Sequence, residues 1–144
     1  MGYVTVADIK EYPLSRIPTD GGDVLHALKN NDQNFTSFGE AYFSEVMPGW
    51  VKAWKQHTQM SMNLYVPIGK VMFVFIDANK KTRIITLGEG NYSRVFVPPL
   101  FWFGFKGLSK DISLILNIAN ITHSDDEVLR QPKDFFSFDW ENAK

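Results

Sequence analysis

A chain of 144 residues with a formal net charge of -1 presents no global field that would favour nucleic acid or an anionic membrane surface. It contains no cysteine, which excludes disulfides, thiolate metal sites and thiol catalysis. No apolar run approaches the roughly 20 residues that span a bilayer, and the first ten residues lack the basic-then-apolar order of a secretion signal, so the expected setting is soluble and cytoplasmic.

The length suits a single domain over residues 1–144 with a sizeable core. An aromatic share of 15%, with 12 Phe and 4 Trp, suits the interior of a barrel or sandwich. In chain order, Tyr3 to Val6 alternates as an opening strand. Pro13 to Gly22 is a loop ending in T-D-G-G, and Asp23 to Leu28 is a short strand followed by a polar loop. Glu40 to Val46 alternates, with Ala41, Phe43 and Val46 expected inward. Pro48-Gly49 turns the chain into Trp50 to Trp54, which leads to the polar K-Q-H.

Asn63 to Pro67 is a strand ending in the I-G-K turn. Val71 to Ile76 is a continuous apolar run, short enough for a strand covered on both faces. The tip at Asp77 to Lys81 returns through Thr82 to Thr86, and Tyr92 to Val97 runs into Pro98-Pro99. Ile112 to Ile118 is a last long strand. Ser124 to Gln131 is the best helical candidate, and the acidic-then-aromatic tail beyond Ile121 is irregular. Turn signals at about ten-residue spacing predict an all-β, antiparallel sandwich or barrel.

The punctuation from Pro48 to Phe105 resembles a cupin jelly roll, the double-stranded β-helix. It has a strand, a polar cluster, the V-P-I-G-K-V turn, an apolar strand, and a Pro-Pro corner leading to W-F-G-F. Metal-binding cupins place His-x-His on a strand so that period-two side chains enter the barrel together. Here the pair is Lys55-x-His57, the later acid position holds Ser61 and Met62, and Phe103 stands after the corner. One possible ligand out of four does not hold iron, manganese or zinc in the usual way, so no metal is expected.

From about Asp23 to Trp140 the chain resembles the dTDP-4-dehydrorhamnose 3,5-epimerase-like branch of the cupins. The resemblance is carried by G-E-A-Y-F-S-E-V-M-P-G-W-V-K-A-W-K-Q-H, by L-G-E-G-N-Y-S-R-V-F-V-P-P-L-F-W-F-G-F-K-G-L and by T-H-S-D-D-E. It implies a metal-free and cofactor-free homodimer, its N-terminal strand exchanged with the neighbour, that binds a nucleotide-sugar ligand in the jelly roll. It further implies epimerisation beside the ketone of a dTDP-4-keto-6-deoxyhexose, for deoxysugar or surface-polysaccharide biosynthesis. That chemistry needs a base, an opposing acid and a group to stabilise the enolate oxygen.

The family's base, a His in a segment like G-L-H, falls on Lys55, and its acid, a Tyr before Pro-x-x-Glu, falls on Thr122. The Arg of the family's N-terminal D-x-R-G is replaced within Asp20-Gly21-Gly22. The expected catalytic set is therefore His57 as base, His123 as acid and Lys55 on the ketone or a phosphate. Gln59, Asn63, Tyr92, Arg94, Trp102 and Lys106 are the expected substrate contacts. Arg94 needs an anionic partner, either a diphosphate or Glu40 or Glu45. His26 is expected to be structural, and Asp139 is a partner for a histidine. The rival reading is a non-catalytic barrel that binds a sugar nucleotide or serves as a dimer scaffold. Lys55 and His57 both pointing inward toward His123 favour catalysis; both pointing outward favour that rival.

Overall fold

The computed structural model describes residues 4–143. Two five-stranded antiparallel sheets face each other and enclose one apolar interior. The first sheet holds β1 (Lys10–Pro13), β4 (Glu40–Val46), β6 (Met62–Ile68), β9 (Ser93–Val97) and β11 (Ser113–Ala119), ordered β1-β9-β6-β11-β4. The second holds β5 (Val51–His57), β7 (Lys70–Ile76), β8 (Thr82–Gly88), β10 (Trp102–Gly107) and β12 (Val128–Arg130), ordered β12-β5-β10-β7-β8. A small ribbon pairs β2 (Arg16–Ile17) with β3 (Val24–Leu25).

The apolar run of β7 is explained by cover on both sides. Val71, Phe73 and Phe75 join the interior, while Met72, Val74 and Ile76 meet Trp54 and Trp140 on the outer face. The C-terminal tail supplies that outer cover. Trp54 contacts Phe136, Phe138 and Trp140 at ring-centroid distances of 5.1, 6.4 and 5.4 Å, and such pairs add about 0.5–1.5 kcal/mol each beyond area burial. Trp54 also donates its indole N–H to the Lys133 carbonyl at 3.0 Å, so the tail is tied as well as packed. The turn from β6 into β7 passes through Gly69 at φ +91°, where a Cβ would also collide with Ser113.

Several details depart from the sequence expectations. Tyr3 lies outside the described residues, and Val6–Asp8 is a 3-10 turn capped by the Thr5 hydroxyl, so the first strand is β1. β1 pairs with β9 at the edge of the first sheet. Only Val24–Leu25 of the Asp23–Leu28 segment is strand. The helix expected from Ser124 is one 3-10 turn, Asp125–Glu127, followed directly by β12. On β4 the phase is reversed: Phe43 is 62% exposed and Ala41 is exposed, while Tyr42 and Ser44 face the interior cavity. Both phases of this strand carry apolar residues, so alternation alone could not choose the inward one.

Candidate functional site

Between the sheets lies a cavity of about 400 Å³. Its first wall carries Tyr42 and Ser44 on β4 and Asn117 on β11; its second carries Lys52 and Lys55 on β5 and Arg130 on β12. Aromatic rings of Phe73, Phe103 and Phe105 form part of its lining. The cations reach it through an irregularity. Opposite Phe103 and Gly104 the ladder skips from Lys55 to Ala53, leaving Trp54 as an extra residue. The alternation shifts there, so Lys52 before the bulge and Lys55 after it both line the cavity while Trp54 turns out to the tail. Gly104 is required at this point, because a Cβ would lie 2.5 Å from the Ala53 Cβ and 3.1 Å from the Trp140 ring.

Two residues beyond Lys55 on the same face, His57 is buried and its Nδ1 lies 2.5 Å from Glu127 Oε1. The backbone clamps that glutamate. Its carbonyl accepts the Thr58 amide N–H at 2.7 Å and the Thr58 hydroxyl at 2.9 Å, and β12 runs from it beside β5 with Val128 opposite His57 and Arg130 opposite Lys55. The second carboxylate oxygen accepts the amide N–H groups of Gln59 and Met60 at 3.3 and 3.4 Å. Burial alone would raise the Glu127 pKa, but the hydrogen bond and attraction of His57 together with these amides hold it below 4.5, as the carboxylate. Burial lowers the His57 pKa below 6.5 against the pull of Glu127, so the imidazole is neutral at pH 7.

The pair is therefore a neutral imidazole that donates Nδ1–H to a carboxylate and keeps its Nε2 lone pair bare. That Nε2 is buried without a hydrogen-bond partner among the described residues. Such an atom costs about 1–3 kcal/mol. The ring stacks on Phe103, with centroids 5.9 Å apart, and Phe103 lines the cavity. Across the cavity, Asn117 donates from Nδ2 to the Tyr42 hydroxyl oxygen at 3.0 Å, leaving the phenolic O–H free to donate.

Of the residues expected from sequence, Lys55 lines the cavity and His57 lies one ring behind its wall. His123 is 42% exposed and bonds Asp125 from Nε2 at 3.1 Å, standing outside the cavity lining. Gln59 is exposed and contributes its backbone to Glu127. Asn63 and Arg94 belong to the opposite face of the first sheet and Tyr92 lies just before β9; none of them lines the cavity. Arg94 forms no ion pair with Glu40 or Glu45; it donates to Asn63 Oδ1 at 2.6 Å and sits 4.4 Å over the Tyr12 ring. Trp102 and Lys106 face the tail: Trp102 packs on Phe135 and Phe136, and Lys106 donates to the Trp140 carbonyl. Asp139 accepts from Glu141 and Asn142 rather than from a histidine. His26 is half-buried, and its carbonyl accepts the Tyr92 hydroxyl.

Glu127, Tyr42, Lys52, Asn117 and Arg130 were not foreseen. Glu127 was visible as the last residue of T-H-S-D-D-E but was absorbed into a helical reading, and Tyr42 was hidden by the phase error on β4. Arg130 sits on a strand too short to announce itself.

The two-sheet antiparallel architecture is that of a cupin-type jelly roll. A solved dTDP sugar isomerase from Desulfovibrio desulfuricans G20 is 36% identical, with a TM-score of 0.90 over 95% of this chain and 93% of that one. The chain belongs to the dTDP-sugar isomerase family. No family model matches it. The probable low-salt glycan biosynthesis epimerase Agl13 of Haloferax volcanii is 27% identical over 84 residues, about half of either chain (54% of each). The spore coat polysaccharide biosynthesis protein SpsL of Bacillus subtilis is 21% identical over 125 residues, 83% of each chain. Among the described residues no helix is long and apolar enough to cross a membrane.

Proposed function

We propose that this chain is an epimerase or isomerase that moves protons at the carbons beside the ketone of a dTDP-4-keto-6-deoxyhexose, in deoxysugar or surface-polysaccharide biosynthesis. The observation that carries the reading is the buried His57–Glu127 pair, with a bare Nε2 lone pair, on the same strand face as a lysine lining the cavity. His57 takes the carbon-bound proton, and Glu127 stabilises the imidazolium that results. Tyr42, from the opposite sheet, returns a proton to the other side of the ring plane. Lys55 acts on the ketone, where negative charge develops. Lys52 and Arg130 meet the diphosphate, for which paired cations are the natural partners.

The same reading includes a homodimer in the cytoplasm, supported by the outer face of the first sheet. Exposed Phe43 lies opposite Leu116 in the ladder, and Leu114 and Ile118 continue that face. A second copy covering this face removes apolar area from water, and light scattering at micromolar concentration should return the dimer mass. The rival, a non-catalytic sugar-nucleotide binder, draws on the expectation from the sequence resemblance that Lys55 and Thr122 stand where the family has its base and acid. Proton NMR of the protein with TDP-4-keto-6-deoxyglucose separates the two. A new sugar spin system supports the enzyme; ligand line broadening with an unchanged sugar spectrum supports the binder.

A further inference from the structure

We propose that Lys55 works covalently: its amine condenses with the substrate ketone to an iminium, and the proton transfers take place on that adduct. This rests on the keto-sugar reading above. Three observations meet at this residue. The side chain lines the cavity, half-buried, beside the aromatic rings of Phe103 and Phe105. Among the described residues it forms no hydrogen bond or ion pair, although Lys52, Lys10 and Lys106 each donate to a carbonyl. It is also flanked by cations, with Arg130 opposite it in the ladder and Lys52 earlier on its own strand. The one nearby carboxylate, Glu127, is already engaged by His57 and two amides.

These surroundings disfavour an ammonium. Burial lowers the Lys55 pKa below 10.5; Arg130 and Lys52 lower it further, and Glu127 only partly opposes them. A lysine desolvated next to another cation is the standard means of presenting a nucleophilic amine to a carbonyl. A lowered pKa makes the free amine easier to reach than at an exposed lysine. The neutral amine has the lone pair that a condensation needs.

The step balances without an added reagent. The Nζ lone pair adds to the ketone carbon, and one N–H proton passes to the oxygen, giving a carbinolamine. The hydroxyl then leaves as water, taking a proton from the Tyr42 phenol, and the nitrogen lone pair forms the C=N bond of the iminium. The positive nitrogen acidifies the adjacent C–H, and His57 Nε2 accepts that proton to leave an enamine. The imidazolium loses its proton to solvent and the Tyr42 phenolate takes one up. Tyr42 then protonates the carbon from the opposite face, regenerating the iminium, and added water gives a proton back to Tyr42 as it releases the product ketone and the free lysine. The residues given roles in the reading above supply each proton donor and acceptor, so only Lys55 gains a new role.

The test is reductive trapping of the unmodified protein. It is incubated with TDP-4-keto-6-deoxyglucose and cyanoborohydride, then read by intact mass and peptide mapping, with deuterium exchange at the sugar followed in parallel. The expected result is one adduct of the substrate mass less one oxygen, located on the Lys55 peptide and absent from Lys55→Arg. Lys55→Arg keeps the charge but cannot form the imine, and should lose about 10²–10³-fold of the exchange rate, the scale of removing one group that stabilises developing charge. Exchange in the native protein without an adduct on Lys55 overturns the covalent step and leaves the keto-sugar reading intact. Exchange retained within tenfold by Lys55→Arg overturns it as well. Neither exchange nor adduct overturns the keto-sugar reading and the covalent step with it.

Discussion

The two walls of the cavity differ in a way that divides the chemistry. The wall built by β5 and β12 carries all of its charge: Lys52, Lys55 and Arg130 line it, and the His57–Glu127 pair stands just behind. The wall built by β4 and β11 is neutral, offering the Tyr42 hydroxyl, the Ser44 hydroxyl and the Asn117 amide. On the proposed reading, a ligand held between them meets charge recognition and a base on one side and a proton donor on the other. An epimerase needs that asymmetry, because a proton removed from one face of a ring must be replaced from the opposite one. A simple binding barrel has no need of a buried, unpartnered imidazole nitrogen.

The sharpest way to break this contrast is to remove the base. His57→Ala should lower turnover by about 10²–10⁴-fold, the usual contribution of a positioned acid or base, with substrate affinity nearly unchanged. Turnover within tenfold of the native value would return the pair to a structural role. On the neutral wall, Tyr42→Phe deletes one oxygen and should cost about 10²-fold in kcat with little change in KM. An unaltered kcat would place the donor elsewhere.

A smaller effect is expected from the rim of the charged wall. Arg130→Met or Lys52→Met should raise the dissociation constant for a sugar diphosphate by about tenfold, equivalent to about 1.4 kcal/mol, and flatten its salt dependence. Titration calorimetry at two ionic strengths checks both parts. Tyr42→Phe should leave that salt dependence as it is.

The smallest expected effect is on stability. The folded His57 pKa lies below its ordinary 6.5, so the unfolded chain binds more protons in the window between the two values. The His57 contribution is fully present above pH 6.5 and fades as pH falls through that window. Glu127, held as a carboxylate below its ordinary 4.5, adds a second loss at lower pH. Thermal midpoints should therefore decline from neutral pH towards pH 4, and the upper part of the decline should vanish in His57→Ala.

The frame of the fold was legible because its signals are local. The V-P-I-G-K-V turn, the Pro-Pro corner and the double-sided apolar run of β7 each declare themselves within a few residues. The site was less legible because it depends on irregularities. The bulge at Trp54 brings Lys52 and Lys55 to one cavity, and no periodic reading predicts two same-side residues three apart on a strand. β12 is three residues long and is held by its pairing with β5, not by its own sequence. Arg94 misled for a different reason: its burial was foreseen, but its partners are an amide and an aromatic ring, which leave no anion to infer.

The most direct test of the central claim is proton NMR of the native protein with TDP-4-keto-6-deoxyglucose in D2O. The charged and neutral walls together predict deuterium at a carbon adjacent to the ketone, at a rate proportional to protein concentration and lost in His57→Ala. A substrate that saturates the cavity yet keeps every carbon-bound proton would contradict the account.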